Sequence, residues 1–325
     1  MISLTVLGAL KSKVSSSSAS AFVPAHISGF FQPCDADTPE RTGSRNCGPC
    51  LNLGVATEVK VEKSGRKGTK VFIDGKRAPE AKTTLAAVKR LLNMEHGSFN
   101  IEVNHTCQIP VGAGYGASGA GALGTVLALS KALGLRMSRQ KLVAAAHVAE
   151  VICYTGLGDV GAQAIGGLVM GLEPGAPPHG RWRRIKVPRG VKIICATLGP
   201  IPSKDFLSNA KFRGHASEFG GVALDKILKQ PDLPSFVSAS RDFADKLGLL
   251  DDELLELAEA AEKAGAIGAS QAMIGRSVFA LVSEKRVDLV REAFLEVLDP
   301  ASIIVAEIYE KRANAFVQKS NKRNA

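Results

Sequence analysis

The chain has 325 residues, of which 45% are hydrophobic and 22% are charged, so it has room for one large or two medium domains that each bury a core. A net charge of +10 fits a nucleic-acid binder, but it fits an enzyme with anionic substrates equally well. Aromatic residues make up 5% of the chain, which argues against a nucleic-acid platform built from stacked rings.

The first twenty residues are predicted to be a flexible extension. Residues 4–10 are apolar but have no basic residue ahead of them, so they make a poor secretory signal. A serine run at 15–18 is typical of a flexible lead-in. Since no run of the chain reaches the length of a membrane helix, we expect a cytoplasmic protein.

The next segment combines a predicted strand with a predicted loop. Residues 21–31 form an apolar run that carries His26, and a lone histidine in such a run is usually a core residue. Residues 32–48 are polar and rich in proline and glycine, which predicts a long loop that carries Arg45. Cys47 and Cys50 have the spacing of a redox dithiol, but a strand is expected after them instead of a helix, so we interpret them as incidental thiols.

Periodicity predicts alternating strands and helices through the following hundred residues. The predicted strands are 55–61, 69–73 and 99–105, and the predicted helices are 81–92 and 139–153. Ser138 is the expected N-cap of the second helix.

A glycine-rich segment at residues 110–122 is followed directly by an alanine-rich run that predicts a helix to about residue 133. A glycine loop that opens a helix presents unpaired backbone N–H groups at the positive end of the helix dipole. That arrangement suits a phosphate group. The alternative is a glycine-rich turn that lets a helix and a sheet pack closely.

The second half of the chain begins near residues 188–190, where the composition changes. Before that point, a second glycine-rich turn at 154–167 contains a single acid, Asp159. After it, a buried strand at 191–198 is followed by helices to residue 264, a small-residue loop, and further strands at 277–283 and 303–307. Strands and helices that alternate in this way indicate an α+β layer.

Two familiar phosphate-binding motifs do not fit the glycine-rich segment. No Gly-Lys-Ser/Thr follows the glycines, so the segment is not a Walker loop. Residues 114–119 match G-x-G-x-x-G, but a capped second helix follows, and the first acid is Glu150. A dinucleotide fold needs a second strand there, with an acid about 20 residues on.

With these two motifs excluded, the remaining interpretation is a loop that binds a nucleotide triphosphate for phosphoryl transfer. It needs a cradle for the phosphates, a metal to offset their charge, and a group that accepts the proton of the attacking hydroxyl. Ser118, Glu150 and Asp159 supply suitable groups beside the two glycine turns. Each carboxylate alone could be an ordinary surface or capping residue without a catalytic role, but the three groups together favour a kinase.

At this point the chain resembles the GHMP kinases, the galactose, homoserine, mevalonate and phosphomevalonate kinases. Residues 110–120 read P-V-G-A-G-Y-G-A-S-G-A, which is similar to the family's P-x-G-x-G-L-G-S-S-A-A loop. Residues 24–27 read P-A-H-I in the place of the family's P-G-K motif, and Glu150 precedes G-L-G-D at 156–159. A weaker likeness places residues 273–281 at the family's C-terminal glycine motif.

The resemblance implies an α+β fold of two domains with the active site between them. An N-terminal nucleotide-binding domain would span 21–188, and a C-terminal ferredoxin-like α/β layer would span 189–325. It implies that ATP is bound, that Ser118 and Glu150 hold Mg²⁺, and that Asp159 acts as the catalytic base. The residues implied to wrap the ATP phosphates are Pro110, Gly112, Gly114, Gly116, Ala117, Ser118, Gly119 and Ala120.

The implied substrate is a small molecule with a hydroxyl group. The phrases at 22–31, 41–45 and 116–125 are similar to those of archaeal family members that act on pantoate. Because a guanidinium binds a carboxylate well, Arg45 is expected at the pantoate carboxylate, with His26 near the hydroxyl as a catalytic and substrate-binding residue. His26 stands where many members have a lysine, and Arg276 is a further candidate for substrate contact.

Two alternatives stay open. Within the family, the substrate could be mevalonate or homoserine. From a different class, a basic nucleic-acid-binding protein would show salt-sensitive RNA binding, but it would have no use for Ser118, Glu150 and Asp159 together. The sequence does not fix the oligomeric state, and a homodimer is the assembly we expect.

Overall fold

The first of two β-sheets is built around one long strand. The computed structural model describes residues 16–63, 68–93, 98–201 and 203–317. Nine strands of these residues form the first sheet: β1 Ser16–His26, β2 Phe30–Cys34, β3 Gly43–Lys63, β4 Gly68–Ile73, β5 Lys76–Arg77, β6 Phe99–Cys107, β7 Leu168–Glu173, β8 Arg181–Ile185 and β13 Asn314–Val317. The second sheet contains β9 Val191–Gly199, β10 Gly268–Gln271, β11 Arg276–Ser283 and β12 Ile303–Glu307.

Strand β3 joins two parts of the first sheet. Its later residues pair antiparallel with β1 and β6, so that Val59 lies opposite Ala19 and Val103. Its first residues pair with β2 and β7, so that Cys47 lies opposite Phe30 and Met170. The early part of β3 therefore extends the sheet toward the region where the candidate site lies.

Nine α-helices cover the two sheets in the described part of the chain. They are α1 Lys82–Leu92, α2 Ala117–Ala132, α3 Arg139–Cys153, α4 Asp159–Ile165, α5 Ser203–Leu207, α6 Ala210–Lys229, α7 Leu233–Lys246, α8 Asp252–Lys263 and α9 Val287–Leu295. None of these helices is both long enough and apolar enough to cross a bilayer.

Helix α2 is the central helix of the N-terminal half. Its residues from Gly119 to Ser130 are all buried, as expected for a helix that is apolar on every side. A Cβ at Gly124 would lie 2.5 Å from Thr57 Oγ1 on β3. Glycine at this position therefore allows the helix to approach the sheet closely, and α1, α3 and α4 pack around it.

The second sheet has the strand order β10-β11-β9-β12, and all its neighbours are antiparallel. This order is that of a β-α-β-β-α-β ferredoxin-like layer with extra helices after the first strand. Leu257 of α8 and Phe294 of α9 are buried against Val278 of β11. The predicted ferredoxin-like α/β layer is confirmed.

Three sequence-based expectations about organisation need correction. Residues 16–20, predicted as part of a flexible extension, lie in β1 and pair with β3, and residues 1–15 lie outside the described residues. Within the predicted long loop at 32–48, residues 32–34 belong to β2 and residues 43–48 to β3, so the connection between the strands is limited to 35–42. Strand β13, predicted to belong to the C-terminal domain, pairs with β1 of the first sheet.

Cys47 and Cys50 lie three residues apart on β3, and both are free and fully buried. Burial raises the pKa of both thiols. Successive side chains of a strand alternate between its faces, so this spacing does not bring the two sulfurs together at the start of a helix, as a redox motif requires.

Candidate active site

The glycine-rich segment connects β6 to α2 and has the backbone that its sequence requires. Gly112, Gly114 and Gly116 have φ angles of +79°, +89° and +64°, a region that residues with a side chain rarely adopt. Gly116 is the N-cap of α2 and offers no capping side chain. The first backbone N–H groups of α2 therefore point toward the loop without an intrahelical partner, as a phosphate-binding loop requires.

The glycine loop is packed between the two halves of the chain. A Cβ at Gly114 would lie 2.0 Å from the carbonyl oxygen of Ala272, so only glycine fits against the segment that follows β10. Gln163 of α4 donates a hydrogen bond from Nε2 to the carbonyl oxygen of Gly116 at 2.8 Å. The Ile201 N–H donates to the carbonyl oxygen of Gly112, also at 2.8 Å.

Ser118, Glu150 and Thr155 form a hydrogen-bonded group at the start of α2. The Ser118 hydroxyl donates to Glu150 Oε1 at 2.6 Å, and the Thr155 hydroxyl donates to the same oxygen at 2.8 Å. Oε2 of Glu150 is buried and has no hydrogen-bond partner among the described residues. It lies against Gly119 and Gly156, where an added Cβ would come within 2.9 Å and 2.1 Å of it.

The environment of Glu150 opposes its charge. Burial, followed by repulsion from Asp159, raises the pKa of the Glu150 carboxyl from 4.5 to about 7, against the opposing effect of the hydrogen bonds from Ser118 and Thr155. A buried carboxylate oxygen without a partner is costly unless a cation or a donor reaches it.

Asp159 and His26 form the second polar pair of the site. His26 Nδ1 lies 2.7 Å from Asp159 Oδ1, and because an ionised carboxylate only accepts, the imidazole donates. The His26 side chain is fully buried, whereas Asp159, the first residue of α4, is partly exposed. His26 thus holds Oδ1 of Asp159, while the rest of the carboxylate is accessible to solvent.

A cavity of about 340 Å³, here called the central cavity, brings these groups together. Its lining includes Gly112, Gly116, Ser118 and Asp159 from the N-terminal half and Lys204 from α5. The central cavity is therefore lined by three groups that the sequence predicted to act together: the phosphate loop, the metal ligand Ser118 and the base Asp159. Glu150 lies directly behind Ser118, out of contact with solvent.

Three predicted substrate contacts lie elsewhere. The Arg45 side chain donates to Gln32 Oε1 and does not line the central cavity, because its neighbour Ser44 faces that space and adjacent residues of a strand face opposite ways. The Arg276 guanidinium is held by Asp251 and Glu253 at the start of α8. His26 is fully buried behind Asp159 and does not line the central cavity.

Other lining residues were missed by sequence reasoning. Ser28 and Thr155 lie beside the motifs that were singled out, so their proximity to His26 and Asp159 was an available signal. Lys204 lies in a segment whose sequence carried no such signal. Nothing local distinguishes it from the other lysines of the chain.

The arrangement can perform group transfer from an anionic donor. Backbone N–H groups can bind phosphate, a hydroxyl and a carboxylate can bind a hard cation, and a second carboxylate can accept a proton. Among the described residues, no group of three or more His, Cys, Asp or Glu side chains could hold a metal ion.

Comparison with known proteins gives matches over most of the chain. The models "GHMP kinases N terminal domain" and "GHMP kinases C terminal" match residues 82–167 and 224–299. The pantoate kinase of Thermococcus kodakarensis is 32% identical over 295 residues, covering 90% of this chain and 96% of the relative. The pantoate kinase of Methanospirillum hungatei is 34% identical over 280 residues, covering 85% and 91%.

A solved structure described as a phosphotransferase related to the CoA biosynthesis pathway is similar over almost the whole fold. It superposes with a TM-score of 0.83 at 30% sequence identity, covering 92% of this chain and 98% of that chain.

Proposed function

The chain belongs to the GHMP kinases, and from that premise we propose that it is a pantoate kinase. It transfers the γ-phosphoryl group of ATP to the terminal hydroxyl of pantoate, which yields 4-phosphopantoate on the route to coenzyme A. The choice of substrate rests on the likeness to two pantoate kinases over more than four fifths of the chain. The choice of chemistry rests on one observation, the convergence of the glycine loop, Ser118 and Asp159 on the central cavity.

The glycine loop and α2 supply the phosphate site. Gly112, Gly114 and Gly116 let the backbone approach the triphosphate without side chains, and the free N–H groups of α2 offset its negative charge. The hydrogen bond from Gln163 to the Gly116 carbonyl holds the loop in this conformation. Electrostatic support of this kind is the main means by which proteins accelerate phosphoryl transfer.

Asp159 is the base in this proposal. As the oxygen of the pantoate hydroxyl bonds to the γ-phosphorus and the bond to the ADP oxygen breaks, the hydroxyl proton passes to Asp159. The partly exposed carboxylate faces the cavity that would hold the hydroxyl. His26 is a positioning residue: its N–H donates to one oxygen of Asp159 and so leaves the other oxygen for the substrate.

Ser118 and Glu150 are the residues that would hold Mg²⁺. The fit is good, because Glu150 Oε2 is a buried, unpartnered oxygen beside a serine hydroxyl, and both groups are hard oxygen ligands. Bound Mg²⁺ would offset the charge of the β- and γ-phosphates. The cytoplasmic location and the homodimer expected from the sequence stay predictions.

The test is a measurement of ADP release with ATP and Mg²⁺ against pantoate, mevalonate, homoserine and shikimate. We expect turnover with pantoate, confirmed by identification of the phosphorylated product, and much lower rates with the other three. A preference for mevalonate or homoserine would overturn the substrate. An absence of turnover with all four, together with salt-sensitive RNA binding, would favour the nucleic-acid alternative.

A further inference from the structure

Lys204 is the one cationic side chain among the described residues that line the central cavity. The residue is exposed, and its ammonium group makes no hydrogen bond or ion pair with any residue in the described part of the chain. Arg45 and Arg276, the arginines expected at the substrate, are engaged by other residues outside this cavity. An unpaired lysine that lines a cavity for an anionic substrate is available to bind an anion.

The segment that carries Lys204 is anchored at both ends. Before it, the Ile201 N–H donates to the Gly112 carbonyl at 2.8 Å, which ties the segment to the glycine loop. After it, Leu207 is buried and also lines the central cavity. Lys204 and Leu207 are three residues apart on α5, so they share a face of the helix. Lys204 therefore lies between two residues, Ile201 and Leu207, whose contacts place them at the cavity.

The lining of the cavity includes a side chain suited to each of three parts of pantoate. Pantoate has a terminal hydroxyl, a quaternary carbon with two methyl groups, and a carboxylate. Asp159 would receive the hydroxyl, and the apolar side chains of Phe31, Leu157 and Leu207 can surround the methyl groups. The carboxylate must stay away from the negative charge of Asp159 and needs a cation, which Lys204 provides.

The triphosphate needs Lys204 less than the pantoate carboxylate does, because it has other partners. Its charge is met by the backbone N–H groups at the start of α2 and by the cation site at Ser118 and Glu150. No comparable partner serves the carboxylate among the other described lining residues, which are apolar, uncharged or acidic.

We propose that the Lys204 ammonium binds the carboxylate of pantoate and so selects a hydroxy acid over a neutral alcohol. This inference rests on the proposed function. It assigns to α5, in the C-terminal half, the role that the sequence had placed on Arg45.

The experiment measures binding by isothermal titration calorimetry in wild type, Lys204→Met, Lys204→Arg and Lys211→Met. Lys211 is the matched control, because it is exposed at the start of α6 and lines no part of the cavity. The ligands are pantoate, the Mg²⁺ complex of ATP, and pantoamide, in which a neutral amide replaces the carboxylate. Thermal unfolding of each variant checks that its fold is intact.

We expect Lys204→Met to weaken pantoate binding by about 10- to 100-fold, the range for a lost hydrogen bond between charged groups. Binding of ATP and of pantoamide should be unchanged, Lys204→Arg should retain part of the affinity for pantoate, and Lys211→Met should match wild type. Unchanged pantoate binding in Lys204→Met, or equal weakening of pantoate and pantoamide, would overturn the inference. A wild type that does not phosphorylate pantoate would instead refute the proposed function.

Discussion

Replacing Glu150 by glutamine removes a charge that the folded protein disfavours, and the change should appear as an altered dependence of stability on pH. Burial and the nearby Asp159 raise the pKa of Glu150 from 4.5 to about 7. Between these two values the folded protein keeps a proton that the unfolded chain has released. The free energy of unfolding therefore falls as pH rises from about 4.5 to about 7, and it levels off above that range. The shift corresponds to a loss of about 3 kcal/mol.

The Glu150→Gln protein lacks this titration but keeps an amide oxygen that can accept the hydrogen bonds from Ser118 and Thr155. Urea unfolding of both proteins, without nucleotide or Mg²⁺, should be followed from about pH 5 to about pH 8.5, which spans most of the expected change. We expect wild type to lose stability relative to the variant across this range. Glu218→Gln, on the exposed face of α6, is the control and should follow wild type.

Parallel stability curves for wild type and Glu150→Gln would refute the reasoning. They would mean that Glu150 titrates alike in the folded and unfolded states, so its surroundings would not oppose its charge. The unpartnered Oε2 could then no longer be taken as a place prepared for a cation.

Three further substitutions test other parts of the site. Asp159→Asn should lower kcat by about 10²- to 10⁴-fold with ATP binding retained, because an amide keeps the hydrogen bond from His26 but is a poor base; normal turnover would rule out the base. Gln163→Ala should weaken ATP binding by about 3- to 10-fold through loss of its bond to Gly116, and unchanged ATP affinity in calorimetry would contradict that role. Arg45→Ala should leave the KM for pantoate unchanged, since the side chain faces away from the cavity; a large rise would restore the original assignment.

The elements that the sequence predicted well are those governed by local interactions. The helix predicted at 139–153 is α3, and the Ser138 hydroxyl accepts a hydrogen bond from the Lys141 N–H, as an N-cap does. The prediction for segment 32–48 was wrong because its proline- and glycine-rich composition predicts a loop throughout, whereas residues 43–47 pair with β2, and Cys47 and Gly48 also pair with β7. Proline and glycine inside β2 and β3 conceal the pairing, because both residue types are depleted in strands and enriched in turns.

The same failure explains why the sequence led to Arg45 as the expected contact of the pantoate carboxylate. In a strand, successive side chains point to opposite faces, so the face of one residue fixes the face of the next. This rule could not be applied to Arg45 because the segment was predicted to be a loop. Ser44 lines the cavity and Arg45 does not. By contrast, Ser118, Glu150 and Asp159 lie on or beside motifs that resemble a known family, so they could be named together from the sequence. Lys204 could not, because its segment reaches the loop through tertiary contacts that leave no local signal, such as the hydrogen bond from the Ile201 N–H to the Gly112 carbonyl.

His26 stands in the place of the family's lysine motif. The two tasks at issue there are orienting Asp159 and offsetting charge on the phosphates, and His26 can do only the first. A lysine there could extend to the transferred phosphoryl group, but the His26 ring is fully buried, and its Nδ1 is committed to Asp159. Its Nε2 lies close to Gly48, where an added Cβ would be 3.1 Å away, and so faces protein instead of the cavity. His26 can therefore direct the base but cannot offset charge on the phosphates. Under the proposed function, that charge would be met by the glycine loop, the start of α2 and a cation held by Ser118 and Glu150, which would leave Lys204 for the carboxylate of the acceptor.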